Sequence, residues 1–390
     1  MSRRLDVLVV GAGPVGLAAL ERLRAGGLRA AAVDRAPAPP PPDPSRWDPR
    51  VNALSPASVR LLDAAGVWAR IAPERRAPYR RMTVWSGEPD QALCFDARDV
   101  ASDALGAIVE HGRLLAAQRE CLRDADIDDG DGIAGLETHE DGVEVSLHSG
   151  RRVRADLVVA ADGAGSPTRA LAGIGVTRWR YRQSALVCYL RPERPHQETA
   201  WQRFGADGTL ALLPMADGRC SIVWSVDQDR ADELLSLDDE SFADRCAEAF
   251  GHRLGRFDAV EPRFRFELAA MQAERYAHGR VVLIGDAAHV VHPLAGQGVN
   301  LGLGDAAELA AQLVVARERG QRISHPRVLA RFERSRRARS AEMLAVTDGL
   351  HRVYGQRRDA LELPLAAAWP LLDRLPLLRQ ALVRQAVDAV

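Results

Sequence analysis

Residues Leu5–Asp34 read LDVLVVGAGPVGLAALERLRAGGLRAAAVD. Leu5 to Val10 is a near-continuous apolar run, the pattern of a strand buried on both faces of a parallel sheet. Val15, Leu17, Leu20 and Leu23 follow at helical spacing, Gly26 and Gly27 stop that helix, and Ala30 to Val33 forms a second strand. The turn between first strand and helix is Gly11-Ala-Gly13-Pro14-Val-Gly16. Its glycines permit a tight bend and let a pyrophosphate approach backbone N–H groups at a helix N-terminus. Asp34 closes the second strand about 20 residues past the glycines, where an acid accepts hydrogen bonds from a ribose hydroxyl. The neighbouring Arg35 suits a 2′-phosphate, but Asp34 holds the discriminating position. This stretch predicts a βαβ unit binding an adenine dinucleotide.

Two later stretches repeat one design. Leu157-Val-Val-Ala-Ala161-Asp162-Gly163 and Val281-Val-Leu-Ile-Gly285-Asp286 are apolar strands ending in glycine and acid. Each delivers a carboxylate to the sheet edge where ligands of open α/β sheets sit. The alternative for either acid is a cap on a helix N-terminus. Gly302-Leu-Gly304 shares the letters of a dinucleotide turn, yet lies within or just before a helix and reads as close helix packing.

The rest of the chain suggests a sheet domain inserted into a dinucleotide-binding domain. Val51 to Ile71 looks helical. Ile133 to Val159 alternates as strands around a turn at Glu140-Asp141-Gly142. Ala185–Leu190, Ala200–Phe204, Leu210–Pro214 and Cys220–Val226 read as antiparallel strands, with turns at 206–208 and 216–218. Arg280–Ile284 returns to the parallel type and a long helix follows Val299. The expected fold is mixed α/β, and the expected division has four parts. Residues 1–178 form the first part of the cofactor domain, with sheet-domain segments near 75–105. Residues 179–272 form the antiparallel domain, 273–345 the second part of the cofactor domain, and 346–390 a helical C-terminal region. Pro37–Pro44 is a proline-rich surface loop.

Composition narrows the function. The 390 residues are 47% apolar and 27% charged, the balance of a globular enzyme. The net charge of −1 argues against nucleic-acid binding. All 52 basic residues are arginine, so Schiff-base and Walker-type chemistry lack their lysine. Cys94, Cys121, Cys188, Cys220 and Cys246 show no CxxC pair, so neither zinc nor disulfides are expected, and no metal site is. The first residues run straight into a strand, leaving no room for a signal peptide, and no apolar run reaches the ~20 residues of a membrane span. The expected location is the cytoplasm, with peripheral contact at the inner face of the membrane left open.

The chain resembles the flavoprotein aromatic hydroxylases, the family of para-hydroxybenzoate hydroxylase with its glutathione-reductase-type FAD fold. The segment Gly285-Asp286-Ala-Ala-His289-Val-Val-His-Pro293-Leu-Ala-Gly296-Gln297-Gly298-Val299-Asn300-Leu-Gly-Leu-Gly-Asp305-Ala is similar to the ubiquinone-biosynthesis hydroxylases in particular. So are Arg50–Ser58, Ile108-Val-Glu110 and Ala200-Trp-Gln-Arg-Phe204 with Leu212-Leu-Pro214. His111 departs from the family's Glu-Asn pattern.

The resemblance implies FAD as cofactor, NAD(P)H and O₂ as co-substrates, and a small lipophilic phenol hydroxylated through a flavin C4a-hydroperoxide. Gly11, Gly13, Pro14, Gly16, Asp34 and Arg35 belong with the ADP half of FAD, and Gly285 and Asp286 with its ribityl or pyrophosphate part. Asp162 is associated with FAD and nicotinamide together, and Arg113 is a further contact candidate. Gly296, Gln297, Gly298, Val299 and Asn300 meet the flavin's pyrimidine end, where N–H groups and a helix dipole stabilise negative charge. Pro293 sits against the reactive ring face. His289 is near the flavin, but it and His292 are expected to be structural. Leu210, Leu212, Pro214 and Trp224 face a pocket or a core and are the candidate substrate ceiling. Two alternatives stand beside the polyprenylphenol hydroxylase: an enzyme for soluble phenolic or polyketide substrates, and a non-catalytic scaffold subunit of a biosynthetic complex. A halogenase on the same fold needs a lysine this chain lacks. Leu371, Leu375, Leu378, Leu382 and Ala386 recur at helical spacing near the end, as a membrane-surface or core-docking stripe.

Overall fold

The computed structural model of the protein describes residues 4–86, 92–205, 208–258, 262–291 and 298–354. β1 (Leu5–Val10), α1 (Pro14–Ala25) and β2 (Ala30–Asp34) form the predicted βαβ unit, with the strands parallel. Next come β3 (Val51–Leu54), α2 (Pro56–Ala64), α3 (Val67–Arg70), β4 (Arg76–Tyr79), β5 (Arg81–Ser86), β6 (Leu93–Asp96), β7 (Gly106–Glu110) and α4 (His111–Cys121). The helix expected from Val51 begins later. Val51–Leu54 pairs antiparallel with β7, and the helix starts only after Ser55 caps the Ser58 N–H and Pro56 takes the first helical position.

β8 (Ile127–Asp129), β9 (Ile133–Thr138), β10 (Val143–Leu147) and β11 (Arg152–Ala160) lead to the short α5 (Pro167–Leu171). β9 and β10 form the hairpin foreseen at Glu140–Gly142. The antiparallel region holds β12 (Val176–Pro192), β13 (Thr199–Gly205), β14 (Gly208–Pro214) and β15 (Cys220–Asp227), followed by α6 (Gln228–Ser236) and α7 (Asp239–Ala249). β16 (Phe257–Asp258), β17 (Phe264–Ala273), β18 (Ala277–His278), β19 (Val281–Leu283), β20 (His289–Val290), α8 (Gly298–Glu318) and α9 (Pro326–Tyr354) complete the described chain.

Two large sheets result. The first runs β18-β19-β11-β1-β2-β8, with β10 and β9 added beside β11. Its parallel centre aligns the C-terminal ends of β1, β11 and β19, because Val10 is level with Ala160 and Ala160 with Leu283. The three motifs therefore open at one sheet edge. The second runs β20-β17-β12-β15-β14-β13-β5-β6, with β16 on β12. β5 and β6 join it from far upstream. β3, β7 and β4 form a small third sheet.

Each large sheet has its own core. Val7, Val9, Leu17, Leu20, Leu157, Val159, Val282 and Leu313 pack together around the first. Leu186, Leu212, Ile222, Trp224, Phe242 and Phe250 pack between the second and α6 and α7. α8 has the length and apolar composition of a membrane span, but 61% of that stretch is buried inside the protein.

Candidate active site

The glycine turn shows why each glycine is there. Gly11 has φ +105, and a Cβ on it would lie 2.3 Å from the Ala161 carbonyl oxygen at the end of β11. A Cβ on Gly16 would lie 1.9 Å from the Gly11 oxygen. Both serve internal packing. Gly13 differs: a Cβ there meets nothing within 4 Å, so its side faces open space. Gly13 is also the N-cap of α1, has no capping side chain, and is followed by Pro14 with no acid in the first turn. The first turn's N–H groups and the positive helix end thus face the same open side as Gly13. Asp34 accepts the Ala12 N–H at 2.5 Å and the Ala36 N–H at 2.8 Å, fixing the turn from the end of β2. Arg35 is exposed, its stem beside Gly132.

The two acid turns divide the roles that their sequences leave open. Asp162 receives the Thr168 N–H at 3.0 Å, the Thr168 hydroxyl at 2.7 Å and the Ser166 hydroxyl. It is committed to the N-terminus of α5, the capping alternative. Asp286 has no hydrogen-bond donor among the described residues and is exposed. Surrounding protein pushes its pKa up, partly offset by His289 and the Arg50 guanidinium. A carboxylate that none of the described residues hydrogen-bonds is suited to accept hydroxyls of a ligand. Arg169, 5% exposed, joins the two turns, donating to the Ala287 oxygen at 2.8 Å and the Ala164 oxygen at 2.9 Å.

Below Asp286 lies a buried ionic cluster that sequence reasoning missed. Asp305 on α8 is fully buried and accepts the Gly285 N–H at 2.9 Å, His289 Nε2 at 2.6 Å and Arg336 Nε at 2.6 Å. Burial alone would raise its pKa, but His289, Arg336 and the Gly285 N–H outweigh that and hold it low. His289 is 1% exposed. Gly302 is close packing as read: a Cβ there would lie 2.5 Å from Val15 Cγ2 and 3.2 Å from Gly285 Cα. Val15, Gly285 and Gly302 thereby clamp the glycine turn, the Asp286 turn and α8 together.

Gly298, Val299 and Asn300 open α8. Gly298 faces open space, Val299 packs on the main core, and Asn300 ties α8 to the β3–α2 turn. Its Oδ1 accepts the Ser55 N–H at 2.9 Å, and its Nδ2 donates to the Ala53 oxygen at 2.8 Å. Pro293, Gly296, Gln297 and His292 lie outside the described residues, as does the stripe Leu371 to Ala386. Arg113 donates to the buried Glu110 at 2.9 Å and to the Asp43 oxygen at 2.9 Å. Arg75 reaches the same carboxylate at 3.2 Å and stacks 4.0 Å from the Trp47 ring. His111, beside them, is pushed down to about 4 by burial and Arg50.

The candidate substrate ceiling needs a correction of phase. Leu210, Leu212 and Trp224 are at most 2% exposed and lie in the core under α6 and α7. Pro214 shares their side of β14 and is buried. Alternation marks two equivalent faces until another layer covers one, and the helices cover this one. The opposite face carries the cross-strand row Gln202, Ala211, Val223, Val187 and Phe264. Ala211, Val223 and Val187 are half-buried, and Phe264 and Phe266 are 40% and 42% exposed. Leu213 and Tyr189, on this face too, pack against Ala77 and Ile108 of the small sheet.

A glycine cradle and an acid free of hydrogen-bond donors among the described residues, opening at one sheet edge, define a dinucleotide-binding protein built on an open α/β sheet. The sequence pattern of the FAD binding domain family matches residues 4–347, and the chain belongs to that family. It is 35% identical to ubiquinone hydroxylase UbiL of Rhodospirillum rubrum, over 99% of this chain and 90% of that protein. It is also 35% identical to the 3-demethoxyubiquinol 3-hydroxylase of Escherichia coli, over 85% of each. Identity is 33% to the mitochondrial ubiquinone biosynthesis monooxygenase COQ6 of Homo sapiens, over 83% of this chain and 78% of that one. Among solved structures, p-nitrophenol 4-monooxygenase PnpA of Pseudomonas putida shares the fold with a TM-score of 0.78, at 20% identity over 100% and 99% of the two chains. The resemblance read from Gly285 onward therefore holds, and FAD is the cofactor. The residues fit it: Gly13 and Gly298 leave room, the first turn of α1 holds no acid, and Asp286 accepts no hydrogen bond from the described residues.

Proposed function

We propose that the protein uses FAD, NAD(P)H and O₂ to hydroxylate the aromatic ring of a polyprenylated phenol on the route to ubiquinone. The observation that carries this reading is the uncharged, largely aliphatic half-open face of the second sheet, Val187, Ala211 and Val223 leading to Phe264 and Phe266. Such a face offers a lipophilic ligand burial at about 25 cal/mol per Å² and offers no partner to a charged one. The ubiquinone hydroxylases among the relatives support the same substrate class.

In this reading Gly11, Gly13, Pro14 and Gly16 hold the ADP half of FAD, with Asp34 and Arg35 at the ribose. Asp286 takes the ribityl or pyrophosphate hydroxyls, and Arg113 flanks the cofactor. Gly296, Gln297, Gly298, Val299 and Asn300 serve the pyrimidine end and Pro293 the ring face. Asp162 keeps the neighbouring turn in place for flavin and nicotinamide. Bound FAD, reduced by the nicotinamide nucleotide, supplies the activation of O₂. The chain's own part is to orient the phenol beneath the sheet and exclude water, so that oxygen reaches the ring instead of leaving as H₂O₂. The division at residues 178, 272 and 345, and a working position at the inner face of the membrane, belong to the same proposal.

The test is the purified holoenzyme with prenylated and water-soluble phenols, following NADPH oxidation, H₂O₂ and product mass. Tight coupling with a prenylated phenol is expected. Turnover confined to soluble phenols refutes the substrate class, and a colourless protein that takes up no FAD refutes the enzyme.

A further inference from the structure

The net charge of −1 conceals a strongly sided helix. α9 buries Val328, Leu329, Phe332, Arg336 and Ser340. Its outer side exposes Arg327, Arg331, Arg334 and Arg337, whose spacings of four, three and three keep them on one face. None of the four has an ion pair or a side-chain hydrogen bond among the described residues. Arg336 and Arg339, on other sides of the helix, pair with Asp305 and Glu342. Between the free arginines, Ala330, Ala338 and Ala341 floor a shallow depression edged by Arg334, Arg337 and Glu333. Glu333 is itself engaged by the Tyr276 N–H. Like charges three and four residues apart weaken a helix by a few tenths of a kcal/mol per pair. The stripe thus carries a standing cost that a counter-charge from outside relieves.

We propose that this face of α9 docks on an anionic phospholipid surface. The inference rests on the membrane-peripheral reading above and names the surface and ligand chemistry involved. From Arg327 to Ala341 the stripe runs about 21 Å in a straight line, a shape suited to a plane of headgroups. The stripe presents alanines between its arginines and no aromatic ring on which a nucleic-acid base could stack. The chain beyond the helix then carries Leu371, Leu375, Leu378 and Leu382. A basic face and an apolar segment in succession provide the two signals that stable peripheral attachment requires.

The experiment is flotation of the full-length holoenzyme with vesicles of phosphatidylcholine, with and without phosphatidylglycerol. Binding is expected only with phosphatidylglycerol, weakening with salt and falling about fivefold for each of Arg331→Gln and Arg334→Gln. Arg331→Lys keeps binding, since headgroup attraction needs charge rather than a planar fork. Arg60→Gln, at an exposed arginine on α2, leaves binding unchanged. Both glutamine variants retain FAD and turn over detergent-dispersed phenol normally, which separates docking from folding. Equal binding to neutral vesicles, or undiminished binding of the double variant, overturns the proposal. So does absence of vesicle binding combined with Arg331-dependent capture of an acidic partner protein. A wild type that floats but hydroxylates nothing refutes the reaction reading and leaves the docking face standing.

Discussion

Replacing Asp305 by Ala strands three buried donors at once: the Gly285 N–H, His289 Nε2 and Arg336 Nε. The guanidinium dominates the outcome. Arg336 is 4% exposed, and removing one member of a buried pair costs about 3–5 kcal/mol because the other charge remains unpaired. Glu308, 3.6 Å from Arg336 and 27% exposed, recovers part of that. The expected loss is therefore near the lower figure, about 3 kcal/mol, within the 5–15 kcal/mol of a typical fold. Urea unfolding of the FAD-free protein should show a lower midpoint at unchanged slope. Arg336→Met in the Asp305→Ala background should restore part of the loss, giving a coupling of about 1–3 kcal/mol. FAD affinity should fall with Asp305→Ala, because the Gly285 N–H that anchors the Asp286 turn is released. Acid titration supplies a further check. Asp305 is held below the usual carboxylate range, so its contribution is complete above the unfolded value near 4 and is lost as pH falls through the lower folded value. The wild type should lose stability below about pH 4 more steeply than Asp305→Asn. A loss under about 1 kcal/mol or a strictly additive cycle refutes the cluster as an energetic unit.

Gly13→Ala should fold normally and release FAD, measured by flavin absorbance, because its Cβ enters open space meant for the ligand. Gly11→Ala should lose about 3 kcal/mol or more before any cofactor is added, from its φ of +105 and the contact with Ala161. Asp286→Asn should lower FAD affinity while making the FAD-free protein more stable at pH 7. The carboxyl's raised pKa means that its charged form is disfavoured in the fold, a penalty that grows as pH rises through that value. Val223→Asp should raise KM for a lipophilic phenol at least about tenfold with little change in the unfolding midpoint, since it charges the open sheet face. Leu212→Ala should do the reverse, losing about 2–5 kcal/mol of stability and leaving KM in place.

These contrasts mirror what could be read in the chain alone. Gly11 and Gly16 were legible because a tight turn limits a backbone locally, whatever surrounds it. β12 through β15 were legible because alternation is a property of the strand itself. What alternation does not contain is its phase relative to another layer, so Leu212 and Val223 exchange roles once α6 and α7 settle on one side. Asp162 and Asp286 stand in matching motifs and were indistinguishable by spacing. Their difference lies in Ser166 and Thr168, which supply donors to the first, whereas none of the described residues donates to the second.

The Asp305 cluster shows the limit most directly. Asp305 and Arg336 lie on separate helices, and nothing in either helix's own pattern distinguishes them from surface residues; only the crossing of α8 and α9 buries both. The same crossing decides the other arginines of α9. Arg336 turns inward and is neutralised by Asp305, whereas Arg327, Arg331, Arg334 and Arg337 turn outward and form no ion pair among the described residues. A net charge of −1 sums over both kinds. The even balance therefore excludes a basic domain yet is compatible with a basic face, and membrane contact need not rest on the terminal leucines alone.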